Sequence, residues 1–296
     1  MIQKAAALNL HPKIEITVEA NPEELSLKTI KKLKQAGVNR LSIGVQSFDD
    51  DLLSLLGRTH SSQKAKEALL EAHGNGLTNL TIDLMTELPH QTLASFEKTL
   101  QEATSLPISH LSLYNLTFEP GTVFKKKEKL LKLHLPKENE ALQILEKAVF
   151  HLEQNGLKRY EISAFAKEGY EAVHNTGYWT GRPFMGFGPS AFNFYEGRRF
   201  RNACNLRKYY DLLTKNEEPI DFEETLPYPA NQHELLTIQL RLKRGVNIRD
   251  FSLPPTALKP IADLKKEGLL EEANEILRLT SKGALFYDSV AETLIY

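Results

Sequence analysis

The sequence predicts an α/β fold in which a parallel sheet with crossover helices forms part of a barrel, followed by a smaller α+β region. Three observations predict it. Apolar strands that end in a polar residue alternate with amphipathic helices. Strand centres near Ile16, Ile43, Ile82 and Leu113 recur about every thirty residues, the length of a βαβ unit. Beyond Leu116 that rhythm stops.

The first strand reads as Ile14–Glu19, so close to Met1 that the chain reads as a barrel already under way and is expected to lack its opening strands. Its edge, with Ile16 and Val18, is then expected to lie open to solvent or to another chain. Ser26 is the N-cap of the first helix, with Leu27, Ile30 and Leu33 at helical spacing and Gly37 at its end. The second strand follows at Arg40–Val45, where Leu41, Ile43 and Val45 alternate with Ser42 and Gly44. A helix at Gln63–His73, stopped by Gly74 or Gly76, leads to a strand at Leu80–Leu84. Another at Leu93–Thr104 leads to His110–Leu116, giving four parallel strands in all.

Glu119-Pro120-Gly121-Thr122 breaks the pattern, and Lys125–Leu135 reads as a charged connector without turn chemistry. A long helix at Pro136–Asn155 stops at Gly156 and leads to a strand over Tyr160–Phe165. Residues 170–195 are rich in aromatics and glycine, and the tail from Asn231 runs helix, helix, short hairpin, helix, a winged-helix-like order. The texture divides the chain into 1–124, a partial barrel, 125–230, a connector and motif region, and 231–296, the winged-helix-like domain. The tail helices carry as many acidic as basic residues, which favours packing over DNA recognition.

A formal net charge of -1 argues against nucleic acid as the main partner. No apolar run approaches a membrane span and residues 1–10 lack a signal-peptide layout, so a soluble, cytoplasmic protein is expected. The single cysteine, Cys204, excludes internal disulfides and any zinc or iron–sulfur site built from several thiolates of this sequence.

Chemistry in parallel sheets collects at the carboxyl ends of the strands. Those ends carry Glu19, Gln46, Asp83 and the pair Tyr114-Asn115. One polar residue there usually caps the next helix, whereas four in register point to a ligand pocket. Asp83 stands out, because an ionised carboxylate between Ile82 and Leu84 costs roughly several kcal/mol unless something satisfies it. Arg58 reads either as an exposed helix-terminal arginine or as a clamp for a ligand carboxylate.

Glu19-Ala20-Asn21-Pro22, the run Arg40–Phe48, Leu56-Gly57-Arg58, Asp83-Leu84-Met85 and Leu88-Pro89-His90-Gln91-Thr92 closely resemble the oxygen-independent coproporphyrinogen III oxidase family of radical S-adenosylmethionine (SAM) proteins, over nearly the whole chain. His174-Asn175-Thr176-Gly177-Tyr178-Trp179 resembles the His-Asn-x-x-Tyr-Trp signature of that family's HemW-type heme chaperones. The resemblance implies a partial radical-SAM (β/α) barrel with contacts to SAM from Glu19, Gln46, Arg58 and Asp83, and with Gly186, Gly188 and Phe192 closing over the adenine side. It also implies a heme site at His174, Asn175, Tyr178 and Trp179 with His174 on the heme iron.

The family's C-x3-C-x2-C run for a [4Fe–4S] cluster and its Gly-Gly-Thr-Pro turn do not occur in these 296 residues. Ligation of the cluster and radical cleavage of SAM are therefore expected to be absent, and SAM binding weak. Three functions stand open. One is heme binding and delivery to a recipient protein, linking the chain to porphyrin metabolism. A second is oxidative decarboxylation of coproporphyrinogen III, and a third is a non-catalytic remnant. Read alone, His174 is a hydrogen-bonded surface residue, and Tyr178 and Trp179 are a packing staple.

Overall fold

The computed structural model describes residues 14–295 and divides into two compact units, one ending at Glu171 and the other beginning at Ala172. The first is built on a six-stranded sheet. Its parallel strands are β1 (Thr17–Ala20), β2 (Arg40–Gln46), β3 (Leu80–Thr86) and β4 (His110–Asn115), paired in that order. Helices α1 (Leu27–Gln35), α2 (Asp50–Leu55), α3 (Ser62–Gly74) and α4 (Leu93–Ser105) fill the crossovers. Hydroxyl caps start α1, α3 and α4: Ser26 accepts from the Thr29 amide, Ser61 from Lys64 and Thr92 from Ser95.

Alternation along the strands sets the two faces. Leu41, Ile43, Val45, Leu80, Ile82, Leu84, Leu111 and Leu113 pack on Ile30, Ala65, Leu69, Phe96 and Leu100 of the helices in one buried core. The other face receives the intervening residues, and they are polar: Glu19, Arg40, Ser42, Thr81, Asp83, His110 and Ser112.

Four expectations are corrected. Regular strand structure begins at Thr17, not Ile14, and Val18 packs against the core instead of presenting an open apolar face, although β1 has β2 as its one partner among the described residues. The charged connector contains short helices α5 (Val123–Lys126) and α6 (Glu128–Leu131), because Thr122 caps the Lys125 amide and Glu128 pairs with Lys125 and Lys132 at helical spacing. Long helix α7 (Glu138–Gln154) follows. The segment read as one strand over 160–165 is an antiparallel hairpin, β5 (Lys158–Glu161) and β6 (Ala164–Ala166), with β6 antiparallel to β4. Its turn forms because the Glu161 carboxylate accepts from the Ser163 amide and Arg159 Nε donates to the Ile162 carbonyl.

The second unit opens with α8 (Val173–Trp179) and an antiparallel sheet of β7 (Phe192–Tyr195), β8 (Arg198–Asn202) and β9 (Ile220–Thr225), with α9 (Leu206–Thr214) between the last two. Arg198, Arg199 and Arg201 of β8 meet Glu223, Glu224 and Asp221 of β9 as cross-strand pairs. The tail combines α10 (Ala230–Gln239), α11 (Pro255–Lys266), α12 (Ser281–Leu285) and α13 (Tyr287–Ile295) with a small sheet ordered β10 (Val246–Asn247), β12 (Ile276–Leu279), β11 (Leu270–Ala273). Leu236, Leu240, Ile261, Leu264, Leu277, Val290 and Leu294 form its own core. The order keeps the helix, helix, hairpin, helix read from the sequence, with β10 added to the hairpin and a further helix at the end.

Phe96, fully buried between sheet and helices, tests which face holds the first unit together. Phe96→Ala is expected to lower unfolding free energy by about 3–5 kcal/mol. Leu70→Ala on the exposed face of α3 should change it by less than about 0.5 kcal/mol. Denaturant titration of both variants measures the contrast, and equal costs would contradict the packing described.

Candidate functional site

On the polar face of the first unit, Glu19 of β1 lies opposite Ser42 of β2, and Asp83 of β3 opposite Ser112 of β4. The Ser42 hydroxyl donates to both Asp83 oxygens at 3.4 Å. These are long bonds for a half-buried carboxylate, and the group stays poorly solvated. Burial pushes the Asp83 pKa up to about 6, and the Glu19 charge adds to that; hydrogen bonds from Ser112 and Ser42 and the Arg40 charge oppose it. Tyr114, which is 46% exposed, is raised too, first by desolvation and then by the charges of Asp83, Glu161 and Glu19. The tyrosine thus belongs to the same constellation of carboxylates.

Gln46 ends β2 just beyond a register shift, with φ at 67°. A side chain at Gly44 would come within 2.9 Å of the Gln46 amide nitrogen and 3.6 Å of Asn21 Oδ1, so glycine keeps this cradle open. Arg58 donates to the same Asn21 oxygen at 3.0 Å. The structure therefore brings Gln46 and Arg58 together through Asn21, next to Glu19, and ties Asp83 to the same face. Arg58 is a positioned side chain, not a loose helix-terminal arginine. Asn115 instead accepts from Thr86 at 2.8 Å, a local bond between neighbouring strands.

Sequence reasoning missed Ser42, Ser112, Arg40 and His110. At the amino ends of β2 and β4, Arg40 and His110 are buried on this face. His110 bonds Tyr160 through Nε2 at 2.9 Å, and burial followed by the Arg40 charge lowers its pKa to about 3. Its Nδ1 and the Arg40 Nε have no hydrogen-bond partner among the described residues. The signal was the alternation itself: polar residues two apart on adjacent strands belong to one face.

Two carboxylates and hydroxyls on one sheet face, with a side-chain amide beside the glycine at its edge, suit a polyhydroxylated ligand such as a ribose, so the set of donors and acceptors fits the nucleoside part of SAM. The same test fails for an iron–sulfur cluster. Cys204 is exposed in the second unit, and among the described residues no group of three or more histidine, cysteine or carboxylate side chains could hold a metal ion.

In the second unit His174 and Tyr178 lie one turn apart on α8, with Nε2 and the phenol oxygen 2.6 Å apart. Tyr178 packs edge-on against Phe184 with ring centroids 4.6 Å apart. Tyr178, Trp179, Phe184, Phe194, Leu235 and Ile238 line a largely apolar cavity of about 380 Å³, within the size range of small-molecule sites. The Trp179 indole N–H is buried without a partner among the described residues, while Arg241 covers the ring at 4.2 Å. Asn175 makes no side-chain hydrogen bond among the described residues.

The glycine-rich segment is held by its own unit. The Gly186 amide donates to Asn193, and the Gly186 and Gly188 carbonyls accept from Asn202. A side chain at Gly186 would strike the Phe192 carbonyl, and Phe192 packs on Phe222. That clash explains Gly186 and a φ of 100° explains Gly188, both locally and without any ligand.

Residues 1–103 match the family described as the Radical SAM superfamily, and residues 231–286 the HemN C-terminal domain. The chain is 36% identical over 285 residues to a protein of Bacillus subtilis (strain 168) named heme chaperone HemW, covering 93% of this chain and 74% of that one. It is 34% identical to the Escherichia coli (strain K12) protein of the same name, covering 98% and 77%. To the radical S-adenosyl methionine domain-containing protein 1, mitochondrial, of Danio rerio it is 31% identical, covering 97% and 68%. The structure of coproporphyrinogen III oxidase (HemN) from Escherichia coli aligns with a TM-score of 0.82 at 24% identity, over 99% of this chain and 73% of that chain. That last likeness shows the fold.

Asp83 supplies the pH test. Its pKa is about 6 when folded and about 4 when unfolded, so the folded state holds the proton more tightly. That stabilisation is fully present below about pH 4 and is lost as pH rises through about 6. Asp83→Asn does not undergo this loss. The variant should gain on the wild type by about 1–2 kcal/mol between pH 4 and 7, read from denaturant midpoints across that range. A difference independent of pH would contradict the burial described.

Proposed function

The chain belongs to the HemW family within the radical SAM superfamily, and from that premise we propose that it binds heme at α8 for delivery to a recipient protein. The observation that carries the reading is the placement of His174, Tyr178 and Trp179 on one helix beside an apolar cavity of about 380 Å³. When bound, heme supplies an iron that accepts an axial nitrogen, an apolar ring and two propionate carboxylates. The chain's own part is to orient an imidazole, offer aromatic surface and exclude water from one side.

Tyr178 holds the His174 ring through Nε2, so axial ligation by that nitrogen requires the phenol to let go. The cost is about 1 kcal/mol, the net worth of one such hydrogen bond. Until then the bond fixes the ring's orientation on α8. Trp179 and Phe184 then offer surface to the ring. Asn175 is assigned to the site by its place in the motif.

In the first unit, Glu19, Gln46, Arg58 and Asp83 are proposed to hold the nucleoside and aminoacyl groups of SAM. The cradle at Gly44 and the undersatisfied Asp83 support these four. Gly186, Gly188 and Phe192 belong to the second unit and are given no part in this reading. With one cysteine in the sequence, no radical step is derived for these residues. The coproporphyrinogen oxidase alternative has the likeness of fold behind it, and no residue of either site favours it.

Hemin titration followed at the Soret band tests the reading. His174→Ala is expected to abolish or shift the band. Tyr178→Ala and Trp179→Ala should weaken affinity about three- to tenfold while keeping the ligation spectrum. Tyr178→Phe, which removes the competing hydroxyl and keeps the ring, should bind at least as tightly as the wild type. Identical spectra and affinities for the wild type and His174→Ala would leave the histidine a structural residue.

A further inference from the structure

The helix that carries His174 also seats a side chain from outside the recognised motif. A side chain at Gly177 would fall on the Arg182 guanidinium, within 2.6 Å of its central carbon and 2.7 Å of Nε. The arginine lies flat in the space that glycine leaves, and one terminal nitrogen donates to the Val173 carbonyl at 3.3 Å. The guanidinium thereby sits on the turn that begins with His174. It is exposed, it lines the cavity with Tyr178 and Trp179, and it has no carboxylate partner among the described residues.

The neighbouring cations are engaged. Arg199 pairs with Glu224 and Glu234 at the cavity wall, and Arg241 lies between the rings of Trp179 and Tyr287. Arg182 combines a glycine-built seat, exposure and a single bond to a neutral carbonyl. A planar fork held in this way is prepared for a carboxylate, since its donors match the two oxygens and little side-chain freedom remains to be lost.

We propose that Arg182, seated on Gly177, binds a carboxylate of the ligand held at His174 and so distinguishes carboxylated tetrapyrroles from their neutral esters. The inference rests on the heme reading above and adds to it a specificity-determining residue outside the His-Asn-x-x-Tyr-Trp motif. Gly177 then has a functional reason to lack a side chain, for its φ is helical and Ala would otherwise suit the helix better.

The experiment uses the full chain with two probes, hemin and hemin dimethyl ester, whose carboxylates are masked. Arg182→Gln should weaken hemin about three- to tenfold, leave the ester unchanged and preserve the Soret position, since iron ligation is untouched. Arg182→Lys should restore part of the difference. Gly177→Ala, which dislodges the guanidinium without removing it, should act in the same direction on hemin alone. Equal loss for hemin and ester, or no loss for either, overturns the proposal. If binding still depends on His174 in that case, only the carboxylate role falls; if it ignores both His174 and Arg182, the heme reading falls with it.

Discussion

The division of the parallel sheet into an apolar and a polar face is the constraint on which the first unit depends. Side chains alternate along a strand, so Leu41, Ile43 and Val45, turned to the helices, oblige Ser42 and Gly44 to turn away. The same rule on β3 and β4 places Asp83 beside Ser112. Sheets covered by helices on both sides read as near-continuous apolar runs, and these strands do not. A face bearing Arg40, His110, Ser112 and Asp83, most of it buried, costs desolvation that packing alone would not select. The unpartnered Arg40 Nε and His110 Nδ1 are where that cost is visible.

The second unit solves a different problem, presenting an imidazole from a short helix. Seven residues are too few for a helix to be stable by itself, and α8 is fixed by what surrounds its end. Tyr178 wedges against Phe184, Trp179 lies under Arg241, and the Arg182 guanidinium fastens to the Val173 carbonyl across Gly177. These contacts lie outside the imidazole, so His174 is positioned without being buried. The aromatic residues of the motif therefore have a structural role beside the proposed ligand-facing one, and truncating either ring tests both unless the Soret spectrum separates them.

Much of this was legible in the sequence because the signals were local. Ser26 and Thr92 cap their helices through bonds within three residues, and the βαβ spacing places all four parallel strands. What escaped was decided across the fold. Nothing local marks Ser42 as the partner of Asp83, forty-one residues on, nor Arg58 as a partner of Asn21, thirty-seven residues before it. The hairpin at 158–166 reads as one strand because its turn, Ile162-Ser163, contains neither glycine nor proline and is closed by side chains instead. Arg182 lies outside the motif altogether, and only the folded helix shows that Gly177, inside it, leaves its place empty for the guanidinium.

The bond between His174 and Tyr178 also bears on how such a site releases what it holds. An axial imidazole with no competing partner would favour retention, whereas the phenol offers Nε2 a second place to go at 2.6 Å. A difference of about 1 kcal/mol is roughly fivefold in dissociation constant, small beside a whole binding free energy, but under the proposed ligation it falls on the nitrogen that would face the iron. Under the carboxylate proposal Arg182 would act at the other end, where one exposed ion pair is screened by salt and contributes modestly. A carrier needs several such moderate contacts more than one strong one, because a recipient must be able to replace them one at a time. The geometry of α8, with an exposed imidazole already engaged and an arginine held by a single neutral carbonyl, has that character.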